Sequence, residues 1–391
     1  MLISFGFGSV QMGEKPFRIS FMEELSDVIV PRRKKKCKIH IFSSAEYITV
    51  GKNKEEHMKK KLFSVTALIL ASAAILCACG NSNDKKEELT KVTLNEVAHS
   101  IFYAPQYVAI EESYFAEEGI DLTLVNGFGA DKTMTAVLSG EADIGFMGAE
   151  ATIYAYAEGA NDSVVNFAQL TQRAGNFLVA REEMPDFTWA DLKGKLVLGG
   201  RKGGMPEMVF EYILKQNDID PQADLTINQN IDFGSTAAAF SGGQGDFTVE
   251  FEPAATALEK EGDGYVVASL GVDSGYVPYT AYCAKSSLIA ESPEIIQGFT
   301  NALQKGMDYV NSHTPEEIAQ VIKPQFDDTD METLTAIVKR YQEQDTWKEN
   351  LIFEEESFSL VQDILESAGE LEERVPYEAL VTTDFAKIAA E

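Results

Sequence analysis

From Lys91 onward, short runs of β-branched and apolar residues alternate with longer stretches in which apolar side chains recur every three or four positions. Val92–Val97, Ile120–Val125, Ile144–Met147, Val164–Leu170, Phe177–Ala180 and Lys195–Leu198 read as strands. Pro105–Glu118, Asp131–Ser139, Ala149–Glu158 and Met205–Asn217 read as helices, the first opened by a proline and closed by Gly119. This alternation predicts an α/β fold with largely parallel sheets. Beyond Ser292 the pattern turns helical, over 293–312, 315–323, 330–343, 355–368 and 376–390.

One stretch is echoed. Ala136 to Gly140 leads to Asp143 and on to Gly159; Ala238 to Gly243 leads to Asp246 and on to Gly262. In both copies the last glycine follows the aspartate by 16 residues. Each reads as helix, glycine turn capped by aspartate, strand, helix, glycine. Copies so far apart predict two similar lobes rather than an array of short repeats.

Upstream the pattern changes. Met58–Lys61 is basic, the 15 residues Leu62–Leu76 are apolar, and Cys77, Ala78, Cys79 and Gly80 follow. That order is a secretory signal peptide, and its apolar run is shorter than the roughly 20 residues that cross a bilayer. Its end resembles a bacterial lipobox, with small Ala78 before Cys79 as the acylated residue; Cys77 fits poorly behind bulky Leu76. Residues 58–78 are thus expected to be a lipoprotein signal peptide, Cys79 the lipid anchor and 79–90 a polar tether. A signal peptide should open the chain, so Met58 is the expected start and 1–57 a leader read through a misplaced start. The rival reading is a cytoplasmic extension bearing the basic run Pro31–Lys36.

Charge sharpens this division. Residues 1–78 hold 13 Lys or Arg and 7 Asp or Glu, leaving 20 basic and 55 acidic side chains beyond them, a net of −35. So acidic an exported part argues against nucleic acid and anionic lipid as partners. About 300 residues suit one large domain or two medium ones. Cys283 is the only cysteine after Cys79, which leaves no internal disulfide. No G-x-S-x-G or H-E-x-x-H motif occurs, and the exported histidines are only His99 and His313. No catalytic residue, metal site or cofactor is therefore expected.

Several segments together resemble a known family. They are Tyr103–Ala109 with Phe115 and Glu118, Gly119–Leu124, Gly140–Asp143, Asp191–Lys195, and Gly243–Gly262 with Pro253. In this order and spacing they are similar to solute-binding proteins of ABC importers of the nitrate, alkanesulfonate, taurine and thiamine-pyrimidine type, over roughly residues 91–323. The resemblance implies a two-lobed, periplasmic-binding-protein-like (type II) clamp with a helical C-terminal tail. Lobe 1 would comprise 91–179 and 280–391, and lobe 2 180–279, with crossings near Val179 and Tyr279. It implies delivery of a small molecule to an ABC permease and its ATPase, the alternative being a ligand-sensing clamp that does not transport; with a lipid on Cys79 the protein is expected to be a monomer anchored outside the cytoplasm. The cysteine-rich motif of the pyrimidine-synthesising relatives is missing, so synthesis is not expected.

In open α/β sheets, ligands bind beyond the carboxyl ends of strands. That rule nominates Ser100, Phe102 and Tyr103 after the first strand, to hydrogen-bond and stack on a planar ligand or, for the aromatics, to pack under a helix. Glu150 follows the third strand at a helix start, where the helix dipole favours it regardless of function. Gly203, Gly204 and Met205 sit in a glycine-rich helix entry, a source of free amides. Glu250 and Glu252 close another strand and face either solvent or an amino group. Tyr276 and Tyr279 sit near the return crossing. Carboxylates outnumber cations among these residues, which leans the ligand toward an aminopyrimidine-like thiamine precursor, with sulfonate, taurine or nitrate as alternatives. Trp347 is expected to anchor the tail.

Overall fold

The computed structural model describes residues 88–231 and 234–391. The leader, the signal peptide, Cys79 and most of the tether lie outside the described residues. Among the described residues, ten strands form two five-stranded sheets. The first contains β1 (Thr90–Glu96), β2 (Ile120–Asn126), β3 (Ile144–Met147), β4 (Val164–Gln169) and β10 (Ala281–Lys285), in the order β2-β1-β3-β10-β4. The second contains β5 (Asn176–Ala180), β6 (Leu196–Leu198), β7 (Thr226–Asn228), β8 (Phe247–Phe251) and β9 (Tyr265–Ser269), in the order β7-β6-β8-β5-β9. Helices of eight or more residues are α1 (Ala104–Glu111), α2 (Ala130–Ser139), α3 (Glu150–Ala157), α4 (Met205–Gln216) and α5 (Ala254–Glu261). In the C-terminal part they are α6 (Pro293–Ser312), α7 (Pro315–Ile322), α8 (Met331–Glu343) and α9 (Glu355–Ala368).

The two sheets share one plan. In each, a single strand runs against the rest: β10 is antiparallel to β3 and β4, and β5 is antiparallel to β8 and β9. Both are the strands that enter a sheet directly after a crossing. The chain leaves the first sheet after Gln169 and reaches the second at Asn176. A boundary at 179/180 falls inside β5, all of which pairs in the second sheet, so the crossing lies earlier than the sequence suggested. The return runs between Ser269 and Ala281. There the segments are tied together, with Thr171 Oγ1 2.6 Å from Thr280 Oγ1 and the Val277 amide donating to Gln172 O at 2.9 Å.

The echoed sequence is a real structural repeat. The Thr93 amide in β1 donates to Asp143 Oδ2 at 2.8 Å, and the Leu196 amide in β6 donates to Asp246 Oδ2 at 2.8 Å. Each aspartate thus clamps the start of its own strand to the neighbouring parallel strand. Gly159 and Gly262, with φ of 79° and 76°, end the following helices in the left-handed region.

The long helix expected over 105–118 is broken. Ser113 has a φ of 63° and separates α1 from the short helix Tyr114–Glu117. The tail does not belong to the first lobe alone. Its α6 packs on α1, but α9 lies against α4 of the second lobe as well as α3 of the first. Lys215 Nζ donates to Ser367 O, and Lys202 pairs with Glu370 at 2.8 Å. Trp347 is buried and donates from Nε1 to Phe102 O at 2.9 Å, tying the tail to the turn that follows β1. Cys283 is fully buried in β10, where desolvation pushes its thiol up to about 12 and leaves it inert.

Candidate functional site

The carboxyl ends of β1, β3, β6 and β8 converge between the lobes. They line a narrow cavity of about 50 Å³ with residues from both sides, among them Val97, Tyr103, Glu150, Met205, Phe251 and Tyr279. Placement follows from local sequence. Tyr103 ends a short 3₁₀ turn, Ile101–Tyr103, that Ser100 opens by accepting the Phe102 amide on its hydroxyl at 3.3 Å. Glu150 is the first residue of α3. Gly204 and Met205 are the N-cap and first residue of α4, whose entry loop turns through Gly203 at a φ of 73°.

Glu150 is the electrostatic centre. It is 3% exposed, and desolvation pushes its carboxyl up to about 7. Its own amide, the Met205 amide and the Arg201 charge act in the opposite direction. Its Oε2 has no hydrogen-bond partner. The carboxylate folds over Gly148, where a Cβ would stand 2.0 Å from Oε2, so any larger residue there would displace it. Across the cavity the buried Tyr279 hydroxyl also lacks a partner. Burial, with the Tyr103 and Glu150 charges nearby, raises that phenol well above its usual range, so it stays a neutral donor. Tyr103 is raised likewise, by burial first and then by Glu96 and Glu150. Its ring meets Phe146 edge-on at 4.5 Å. Together these groups offer one carboxyl oxygen, one phenol and aromatic walls to a small ligand.

The nominated residues separate. Tyr103, Glu150, Gly204, Met205 and Tyr279 line this cavity. Gly203 lines an adjoining groove, its carbonyl accepting the Tyr154 hydroxyl at 3.0 Å across the lobes. Ser100, Glu250 and Glu252 line a third space that meets the main cavity at Pro206 and Phe251. Ser100 Oγ donates to Glu252 O at 2.7 Å, another link between lobes. Glu250 is held by the Thr248 and Thr236 hydroxyls, and burial pushes it up to about 7.

Three expectations change. Glu252 is not open to an amino group: Oε1 accepts from Arg340 at 2.6 Å and from the Thr256 hydroxyl at 2.9 Å, while Oε2 accepts the Thr256 amide at 2.9 Å. Phe102 is fully buried among Tyr103, Phe251, Tyr279 and Tyr341 and is core rather than a stacking surface. Tyr276 is 57% exposed, bonded to Asp345 at 2.5 Å and covered by the Arg173 guanidinium at 4.1 Å, outside the cleft. Sequence reasoning passed over Val97, Gly148, Arg201 and Phe251 as contacts. All four stand at or just past a strand end, the same signal that nominated their neighbours.

No group of three or more His, Cys, Asp or Glu suited to a metal ion occurs among the described residues. Residues 101–318 match the family described as NMT1/THI5 like. YtlA of Bacillus subtilis (strain 168), described as a candidate binding protein, is 45% identical over 317 residues, covering 81% of this chain and 94% of YtlA. Among solved structures, the alkanesulfonate-binding protein SsuA of Xanthomonas axonopodis pv. citri aligns with a TM-score of 0.62 at 16% identity, over 76% of this chain and 99% of its own. The periplasmic nitrate-binding protein NrtA of Synechocystis PCC 6803 aligns with a TM-score of 0.62 at 15% identity, over 78% and 89%. These structures share its fold, two α/β lobes of the periplasmic-binding-protein type with C-terminal helices. A match over more than half the chain, together with YtlA, places the family: the chain belongs to the NMT1/THI5 like family.

Proposed function

We propose that this protein is the solute-binding component of an ABC importer, held outside the cytoplasm by a lipid on Cys79, and that its ligand is an aminopyrimidine of the thiamine-precursor kind. One observation carries the ligand: Glu150, from one lobe, turns its carboxylate to the Met205 amide that opens α4 on the other. A sulfonate or nitrate would seek that helix start. With Glu150 ionised there, an anion a few ångströms away is repelled by roughly 1–4 kcal/mol. An aminopyrimidine suits the same place. Its amino group donates to Glu150 Oε2, a ring nitrogen accepts from Tyr279, and its ring lies against Tyr103.

Thermal-shift titration of the full chain tests the ligand, because a molecule that binds only the native state raises its melting temperature. Aminopyrimidines should raise it, and Glu150→Gln should weaken that response. A rise with alkanesulfonates, taurine or nitrate and none with pyrimidines overturns the choice of ligand. For the anchor, Cys79→Ala should abolish fatty-acid labelling and release the protein from membranes; labelling that persists defeats the assignment of Cys79.

A further inference from the structure

The cleft cavity has a side arm. A groove of about 460 Å³, open to solvent on one face, runs between α2 and α3. It meets the inner cavity at Ala130, Glu150 and Arg201, which line both. A ligand seated against Glu150 can therefore extend outward without leaving a lined path. The floor is apolar, from the buried Met134, Ala151 and Ala155. The rim is acidic. Asp131 and Glu158 stand there, with Glu150 at the inner end. Arg201, the only cation in the lining, is already engaged with Asp131 at 3.4 Å. Glu158 forms no ion pair among the described residues. Glu150, buried and with its Oε2 atom unpartnered, lines both spaces.

We propose that the groove between α2 and α3 is a second subsite, which takes a cationic arm attached to the head group held in the cleft. This deepens the ligand assignment above and rests on it: the ligand is a two-part molecule, not a bare ring. A positive arm gains from Glu158 and Glu150 together, while its carbon framework covers Met134 and Ala155. An anionic arm meets carboxylates, and an uncharged arm gains only the apolar contact. Arg201 and Asp131 form the waist through which the arm passes.

The test compares two probes on the full chain by calorimetric titration. One is 4-amino-5-hydroxymethyl-2-methylpyrimidine, a head alone; the other is thiamine, the same head carrying a cationic thiazolium. Thiamine should bind about tenfold tighter. Thr135→Trp, at an exposed position in the groove, should bring that ratio below about twofold while leaving the head's affinity unchanged. Glu158→Gln should weaken thiamine by about threefold, an effect that fades with added salt, and should leave the head alone unaffected. If the head binds and thiamine binds no tighter, the subsite is wrong and the aminopyrimidine assignment stands. A thiamine advantage that survives both substitutions places the arm elsewhere and overturns the groove. Failure of both probes to bind overturns the head assignment and the subsite with it.

Discussion

Arg340 Nη1 lies 2.6 Å from Glu252 Oε1, so α8 of the C-terminal tail reaches back to the carboxylate that follows β8. Glu252 is fully buried at its side chain, whereas Arg340 is 37% exposed. The guanidinium also lies over the Phe177 ring at 5.1 Å. One contact thus joins the tail, the end of β8 and the strand that first enters the second lobe.

Removing one member of such a pair leaves the other buried and uncompensated, which costs more than the pair itself contributes. Arg340→Met should therefore destabilise the protein by about 2 kcal/mol, below the cost of a fully buried pair because water reaches the guanidinium. Urea unfolding at neutral pH measures this. Stability unchanged by Arg340→Met would mean that Glu252 is adequately held by Thr256 alone.

Stability should also fall as pH rises from 5 to 8. His99 has Nδ1 2.7 Å from Glu96 Oε1 and Nε2 2.9 Å from the Gln325 carbonyl. Both partners accept, so both ring nitrogens carry protons and the imidazole is a cation. Burial lowers its pKa, but the Glu96 and Gln325 hydrogen bonds and the Glu96 charge outweigh that, and the net shift is upward. Glu250 is also raised, to about 7 by burial. Both groups bind protons more tightly folded than unfolded. Their contributions are complete below the unfolded pKa values and are lost as pH passes the folded ones. Glu250→Gln should be about 2 kcal/mol more stable than the wild type at pH 8 and equal to it near pH 4. His99→Phe should cost about 2 kcal/mol at pH 6 and less at pH 9. Melting temperatures across pH 4–9 check both slopes.

The repeated aspartates should behave as independent copies. Asp143→Ala frees the Thr93 amide and Asp246→Ala frees the Leu196 amide. Each loss should cost about 1–2 kcal/mol. The two sit in different sheets, so the double variant should equal the sum of the single ones within about 0.5 kcal/mol. Denaturant titration of the three variants decides this, and strong coupling between the two positions would rule out independence.

Much of this was written in local sequence. Apolar periodicity placed most strands and helices, because a strand or an amphipathic helix is specified by its own residues and their spacing. The echo around Asp143 and Asp246 revealed two lobes, since a helix–turn–strand unit needs the same glycine and aspartate chemistry wherever it occurs. The strand-end rule nominated Tyr103, Glu150 and Met205, which line one cavity together with Tyr279 from the return crossing. Other features depended on distant partners. The first crossing at 170–175 could not be read because β5 looks like any buried strand until its pairing with β8 and β9 is known. Phe102 and Tyr276 are both aromatic residues in connecting segments, but one is enclosed by four rings and the other lies under Arg173 at the surface. Glu250 and Glu252 are two positions apart, yet only Glu252 meets an arginine, supplied by a helix 88 residues further on. A side chain's chemistry is local, but its burial and its counter-charge are set by whichever chain segment the fold brings beside it; the sequence by itself therefore determined the elements and the strand ends, and tertiary packing alone decided which carboxylate kept an oxygen without a partner.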